Sequence, residues 1–268
     1  MMSILPIVVL YNVDFHETTV YKSLLQHCPG LRICLYENSP KPSNRHYADE
    51  TVIYHHDPEN GGVSAAYNYG AAEARRMGNI EAILLLDEDT RFEADYLSVL
   101  QSALQKHPEV NLFVPQILYA GDQAFSPIHR GTLRHRWTCL QMGVYSLHDY
   151  LPVNSGACIR LSAFEQTGGY NTAIRLDFAD FDFFSRLAEV SDVFSLVDST
   201  AFQAFSNEER QTGRLFRRYQ FYVEGARAAR RNPLIRKMVA VETWRHTLAL
   251  TARTRSLKFI RYLILQHS

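Results

Sequence analysis

"LLLDEDTRF", residues 84–92, carries an aliphatic run straight into three consecutive carboxylates, Asp87, Glu88 and Asp89. A short apolar run ending in polar residues reads as a buried strand, and acids gathered at its end call for a positive partner. The same rhythm repeats on either side. "ILPIVVLY" (4–11) precedes a helical stretch from His16 to His27; "LRICLYEN" (31–38) and "TVIYHH" (51–56) follow, and the spacing predicts a helix over Val63 to Met77 before "AILLLDED" (82–89). Strands apolar on both faces and separated by helices predict an α/β fold, a Rossmann-like, mainly parallel sheet flanked by helices, whose ligands gather at the carboxyl ends of the strands. Glu37, Asn38, Asp87 and Asp89 all fall at such ends.

Beyond Phe92 the pattern predicts a helix to His107, a strand at "VNLFVPQILY" (110–119), a loop over Gly121 to Arg136, a strand at "LPVNSGACIR" (151–160) and a helix at "FADFDFFSRLAEV" (178–190). From Arg210 the composition shifts to 14 Lys or Arg against two acids, in three predicted helices broken near Pro233 and Thr251. Residues 1–206 therefore read as the main domain and 207–268 as a basic helical extension.

The whole chain carries 28 basic and 28 acidic residues, a formal net charge of +0, so it is not built to coat nucleic acid. Its 268 residues, 46% hydrophobic, suffice for one well-buried core with an extension. Cys28, Cys34, Cys139 and Cys158 lack C-x-x-C spacing and are expected as buried free thiols. The start, "MMSILPIVVLYNV", has neither a basic leader region nor a small-residue cleavage site, and no run reaches the roughly 18 apolar residues of a membrane span. A cytoplasmic protein is expected, in contact with the membrane at most peripherally.

Two carboxylates separated by one residue on a turn can reach one divalent cation, and all-oxygen sites of this kind suit Mg²⁺ or Mn²⁺ completed by phosphate and water. Asp is equally a favoured cap and turn residue. Position favours the metal, because the strand delivers Asp87 and Asp89 to the ligand-binding edge. "DPENGGVSAAYNYG" (57–70) sets the Asn60-Gly61-Gly62 turn before a helix N-terminus, where backbone N–H groups can approach an anion.

Taken together, "VVLYN" (8–12), "YENS" (36–39), "NGGVSAAYNYG" (60–70), "LLLDEDT" (84–90), "VNSGACIR" (153–160), "GGYN" (168–171) and "LDFADFDFFSRL" (176–187) resemble, in order and spacing, the inverting family-2 glycosyltransferases of GT-A fold, and within them the bacterial rhamnosyltransferase-like group. The resemblance covers most of residues 4–206. It implies a nucleotide-sugar donor such as dTDP-rhamnose, a divalent metal on Asp87 and Asp89, and transfer with inversion to a glycan or lipid-linked acceptor. Glu37 stands where the family has an Asp near the nucleotide; Asn38, Asn60, Gly61, Gly62, Asn68, Asn154, Ser155 and Gly156 are implied around the donor. Asp180 matches the catalytic base, with Asp182 supporting it and Arg186, four residues on, as its salt-bridge partner. An acidic first turn favoured by the helix dipole accounts for the same acids without catalysis.

Two departures stand out. Gln203, in "AFQAFSNEER" (201–210), occupies the position where many relatives carry a metal-binding His, and Ala179 precedes Asp180 where an acid is usual. Both favour the alternative of a non-catalytic nucleotide-sugar-binding relative. A dehalogenase-type phosphatase also follows a strand with D-x-D, but Thr90 here directly follows Asp89 and three strands precede it. His129, Arg130, Arg134, His135 and Arg136 form a basic loop suited to a diphosphate or to plain solvation. The extension interleaves Arg with apolar residues at helical spacing, as both a helix on an anionic membrane and a helix packed on the domain would.

Overall fold

The computed structural model describes residues 3–119, 123–130, 139–203 and 212–267. Four parallel strands build its first half: β1 (Ile4–Leu10), β2 (Ile33–Glu37), β3 (Val52–His56) and β4 (Ala82–Asp87). Between β1 and β2 the predicted helix is a single turn and a half, α1 (Thr19–Ser23), flanked by 3₁₀ turns. The crossover from β3 to β4 is α2 (Gly62–Met77), closed at its C-terminus by Gly78 at φ 70°, a left-handed cap.

Beyond β4 the sheet becomes mixed. The chain continues through β5 (Thr90–Arg91), α3 (Tyr96–Lys106), β6 (Leu112–Tyr119), β7 (Gln123–Ser126), β8 (Ile128–His129), β9 (Gly143–Ser146), β10 (Tyr150–Leu151), β11 (Cys158–Arg160), α4 (Leu161–Gln166), α5 (Ala179–Leu187) and β12 (Val193–Gln203). The main sheet has the order β3-β2-β1-β4-β11-β6-β12-β5, with β7 on β6 and β9 on β12; β10 pairs with β8 apart from it. β11 runs antiparallel to both β4 and β6, whereas β12 is parallel to β6. The strand expected over 151–160 is thus split: Pro152 cannot donate to a ladder, and Gly156, at φ 81°, turns the chain before β11 begins.

Alternate residues of each strand face opposite layers. Leu5, Ile7, Ile83 and Leu85 pack with Val63, Tyr67 and Ala71 of α2 and Phe183 and Phe184 of α5. Ile4, Val8, Leu10, Leu84 and Leu86 pack with Tyr96, Leu97, Leu100 and Leu104, the apolar stripe of α3. Gly70 lets α2 lie close on β1, since a Cβ there would sit 2.4 Å from the Ile7 side chain.

The predicted division after residue 206 lies outside the described residues. The extension forms α6 (Thr212–Ala229), α7 (Arg236–Thr254) and α8 (Lys258–His267), the last break falling at Arg255 rather than near Thr251. Ala226, Ala229, Ile235 and Val239 join the core of α2 and α5, while Tyr219, Val223, Leu250, Phe259 and Leu263 form a cluster among the three helices. Among the described residues no helix is long and apolar enough to cross a membrane. The four cysteines are free; Cys34 and Cys158 are buried as expected, whereas Cys28 is only half-buried and Cys139 is exposed.

Candidate active site

After β3 the chain crosses to the far side of β1, so the point where strand order reverses lies between the carboxyl ends of β1 and β4, where Val9 is in register with Asp87. A cleft of about 640 Å³ opens there. Its floor is Val9, Leu10 and Tyr11 with Asp87, Glu88 and Asp89, and Asn154 and Gln203 line it further along. Leu176, Asp177, Phe178, Asp180 and Phe181, around the start of α5, line it too, and Arg218, Tyr222 and Glu242 reach in from α6 and α7. Phe178 turns the chain into α5 in the left-handed region, at φ 69°, buried against Tyr222 with ring centroids 5.1 Å apart.

Six acids, Asp87, Glu88, Asp89, Asp177, Asp180 and Glu242, therefore share one partly dry cavity, and four of them are raised. Burial pushes Asp180 up to about 7, with Asp87 and Asp177 adding repulsion. Asp89 is raised to about 6 by burial and by Asp87; Glu88 is raised to about 7 by burial, then by Asp89 and Asp87. Asp87 is raised by burial against hydrogen bonds from Tyr67 and Ser155. Such mutual repulsion is relieved by a cation or a proton.

The acids are held differently. The Tyr67 hydroxyl donates to Asp87 Oδ1 (3.1 Å), and the Tyr11 N–H donates to Glu88 Oε2 (2.8 Å). Gln203 sits beside Asp89, as its position suggested, but its Nε2 donates to Asp89 Oδ1 (2.7 Å) while its Oε1 accepts from Thr90 (2.8 Å), whose Oγ1 also bonds Ser155 (2.7 Å). The Gln203 carbonyl is thus turned away from Asp89 and is not offered as a metal ligand. Among the described residues no group of three His, Cys, Asp or Glu is placed to hold a metal ion. The chemistry of these carboxylates fits an ion that brings phosphate and water with it and takes only one or two of them.

Several residues expected at the donor have other partners. Glu37, wholly buried, accepts from Ser43 N and Oγ, Asn44 N and the Tyr54 hydroxyl, and so closes the loop after β2. Asn38 Oδ1 accepts from Gly62 N (3.3 Å), Asp57 Oδ2 from Gly61 N (2.8 Å), and the Arg175 carbonyl from Val63 N (2.8 Å), so the first N–H groups of α2 meet the protein itself rather than an anion. Asn60, at φ 51°, belongs to that turn. Asn68 grips the backbone of Tyr170 in both directions (2.9 and 2.8 Å), and Tyr170 donates to Asn154 Oδ1 (2.5 Å). At Gly156 a Cβ would meet Phe92 and Pro115 at 2.8 Å, a packing requirement. Asp182 faces inward, bridged to Arg186 (2.9 Å) as the spacing predicted and accepting from Asn232 (3.1 Å).

Sequence reasoning missed Tyr11, Tyr67, Leu176, Arg218, Tyr222 and Glu242. Arg218 forms a two-pronged ion pair with Asp177, its Nη2 2.8 Å from Oδ1. Only the interleaving of Arg and Tyr in "RLFRRYQFY" (214–222) hinted at a helix that faces a site. In the basic loop, Arg134, His135 and Arg136 lie outside the described residues; Arg130 instead bonds Ser185 of α5.

Residues 82–266 match the family described as "Glycosyl transferase family group 2". A search of curated proteins finds no match. Among solved structures, the chain is similar to the crystal structure of GalNAc-T7 with UDP, GalNAc and Mn²⁺ (TM-score 0.56, 12% identity, 77% of this chain and 44% of that chain). It is also similar to S. aureus TarS 1-349 in complex with UDP (TM-score 0.58, 12% identity, 86% of this chain and 66% of that one) and to S. aureus TarS (TM-score 0.54, 13% identity, 84% and 39%). The chain thus spans less than two thirds of each of these neighbours. At such identities the likeness is one of fold, the GT-A arrangement of a sheet with helices on both faces.

Proposed function

The chain belongs to glycosyl transferase family group 2, and from that premise we propose that it moves a sugar from a nucleotide donor to an acceptor hydroxyl with inversion, using Asp180 as the base. The observation that carries this reading is the shared cleft at the strand-order reversal, lined by Asp87 and Asp89 from the end of β4 and by Asp180 from the start of α5. The account follows from what a transfer needs. The acceptor proton must be taken as the new bond forms, and Asp180, raised to about 7, is a carboxylate poised near neutrality for that task. Asp89, with Asp87 behind it, would hold a Mg²⁺ or Mn²⁺ arriving with the diphosphate; that ion supplies Lewis-acid stabilisation of the leaving group. Tyr67 fixes Asp87 and Gln203 fixes Asp89, so neither carboxylate need reorganise when the donor binds.

The donor we propose is dTDP-rhamnose, on the motif resemblance, and the acceptor a glycan or lipid-linked saccharide of bacterial surface polysaccharide synthesis, used at the inner face of the cytoplasmic membrane. The UDP bound in two of the fold neighbours supports a UDP-sugar as the second donor to test. A thermal-shift panel of dTDP- and UDP-sugars, each with Mn²⁺ and with EDTA, decides between them. A true donor at 100 times its Kd should stabilise the wild type by about 2.7 kcal/mol. Asp89→Ala should keep the fold and lose the metal-dependent part. Equal donor affinity with and without EDTA would remove the metal, and no stabilisation by any nucleotide sugar would remove the function. Slow donor hydrolysis by the wild type separates the enzyme from a non-catalytic binding relative.

A further inference from the structure

The last two helices meet at a corner that the cleft does not use. α7 ends at Arg255, in the left-handed region at φ 51°, and the chain turns through Ser256 and Leu257 into α8. Phe259 and Leu263 point inward and are fully buried in the three-helix cluster, so the helix has already spent its inner face on folding. Yet its outer side is also apolar: Leu257 is 60% exposed, Ile264 51% and Leu265 73%. Arg261, Ile264 and Leu265 share one face of α8, and Leu257, in the turn one residue before its start, continues that line at the i, i+4, i+7 and i+8 spacing. Phe216, Arg255, Lys258, Arg261 and Tyr262 complete a shallow groove of about 590 Å³ there, with Lys258 Nζ over the Phe216 ring at 4.7 Å.

Charge selects the partner. After Glu242 the sequence holds Arg245, Arg253, Arg255, Lys258 and Arg261 and no Asp or Glu. We propose that the α7–α8 corner docks on an anionic lipid bilayer, Arg255 and Arg261 at the headgroup phosphates and Leu257 and Leu265 in the acyl boundary. Cations interleaved with exposed leucines match a surface that is anionic outside and apolar a few ångströms in. A two-fold dimer through this face would set Arg255 and Arg261 against their own copies, and nucleic acid offers nothing to the leucines. The proposal stands on this surface alone, so its failure leaves the transfer reading intact.

The test is co-sedimentation of the full chain with phosphatidylglycerol-containing and pure phosphatidylcholine vesicles. Each cation near an anionic surface raises partitioning about fivefold. The double variant Arg255→Ser/Arg261→Ser should therefore bind anionic vesicles more than tenfold less, and the wild type should release them as salt rises. Leu257→Ser/Leu265→Ser, at exposed positions, should weaken binding several-fold with an unchanged circular dichroism spectrum and unchanged nucleotide binding. Equal binding to neutral vesicles, no binding to either, or binding untouched by both double variants overturns the proposal. So does a concentration-dependent dimer that the leucine variant abolishes while vesicle binding persists.

Discussion

Glu37 and Asp89 are both partly or wholly buried carboxylates at strand ends, and burial raises both, yet their net shifts run in opposite directions. Around Glu37 burial raises the acid, but donors from Tyr54, Ser43 and Asn44 outweigh it and hold it at about 2. Around Asp89 burial and Asp87 dominate and leave it at about 6. Folding therefore favours ionised Glu37, whose contribution is present above about 4.5 and lost as pH falls toward 2. It favours protonated Asp89, whose contribution is present below about 4 and lost as pH rises through 6. Glu37→Gln should cost about 1–3 kcal/mol at pH 7, a penalty that shrinks below pH 4. Asp89→Asn should do the reverse in EDTA, raising the melting temperature at pH 8 by about 2–4 °C, on the order of 1 kcal/mol, with no gain near pH 4. Thermal unfolding across pH 3–8 reads both; parallel pH curves for the two variants would contradict the assignment.

At the scale of elements, the start of α2 is where sequence and structure part most instructively. Two glycines before a helix suggest an open anion site, but Gly62, at φ 75°, is demanded by packing: a Cβ would lie 2.0 Å from the Arg175 carbonyl oxygen. That carbonyl accepts from Val63, and the Ile174 carbonyl accepts from Ser64, so α2 anchors the segment leading to Asp177 and Asp180. Gly62→Ala should cost at least about 2 kcal/mol from the left-handed backbone and the clash combined. Because the segment at 174–180 must shift to make room, transfer should fall more than donor affinity does. A stable Gly62→Ala protein with normal kinetics would show that the two segments are not coupled.

For the whole molecule, the sheet and its helices were legible because strands buried on both faces write long apolar runs, and the alternating rhythm of residues 4–89 leaves few other ways to bury them. The acidic strand end was legible for the same reason: "LLLDED" has an inside and an edge. Asp182 was legible through its i, i+4 spacing to Arg186 and Asp180 through the motif resemblance, but the spacing did not show that Asp177 also lines the cleft, paired with Arg218. Nor could one sequence show that α6 and α7 return to line the cleft with Arg218, Tyr222 and Glu242, a contact spanning 41 residues between Asp177 and Arg218. The central claim is that Asp180 takes the acceptor's proton, and Asp180→Asn keeps its shape without its basicity. Measured with the donor that the thermal-shift panel identifies, the variant should bind that donor within about twofold of wild type yet transfer 10² to 10⁴-fold more slowly, and the wild-type rate should rise with pH to a plateau above about 7. Near wild-type transfer by Asp180→Asn, with the same pH profile, would contradict it.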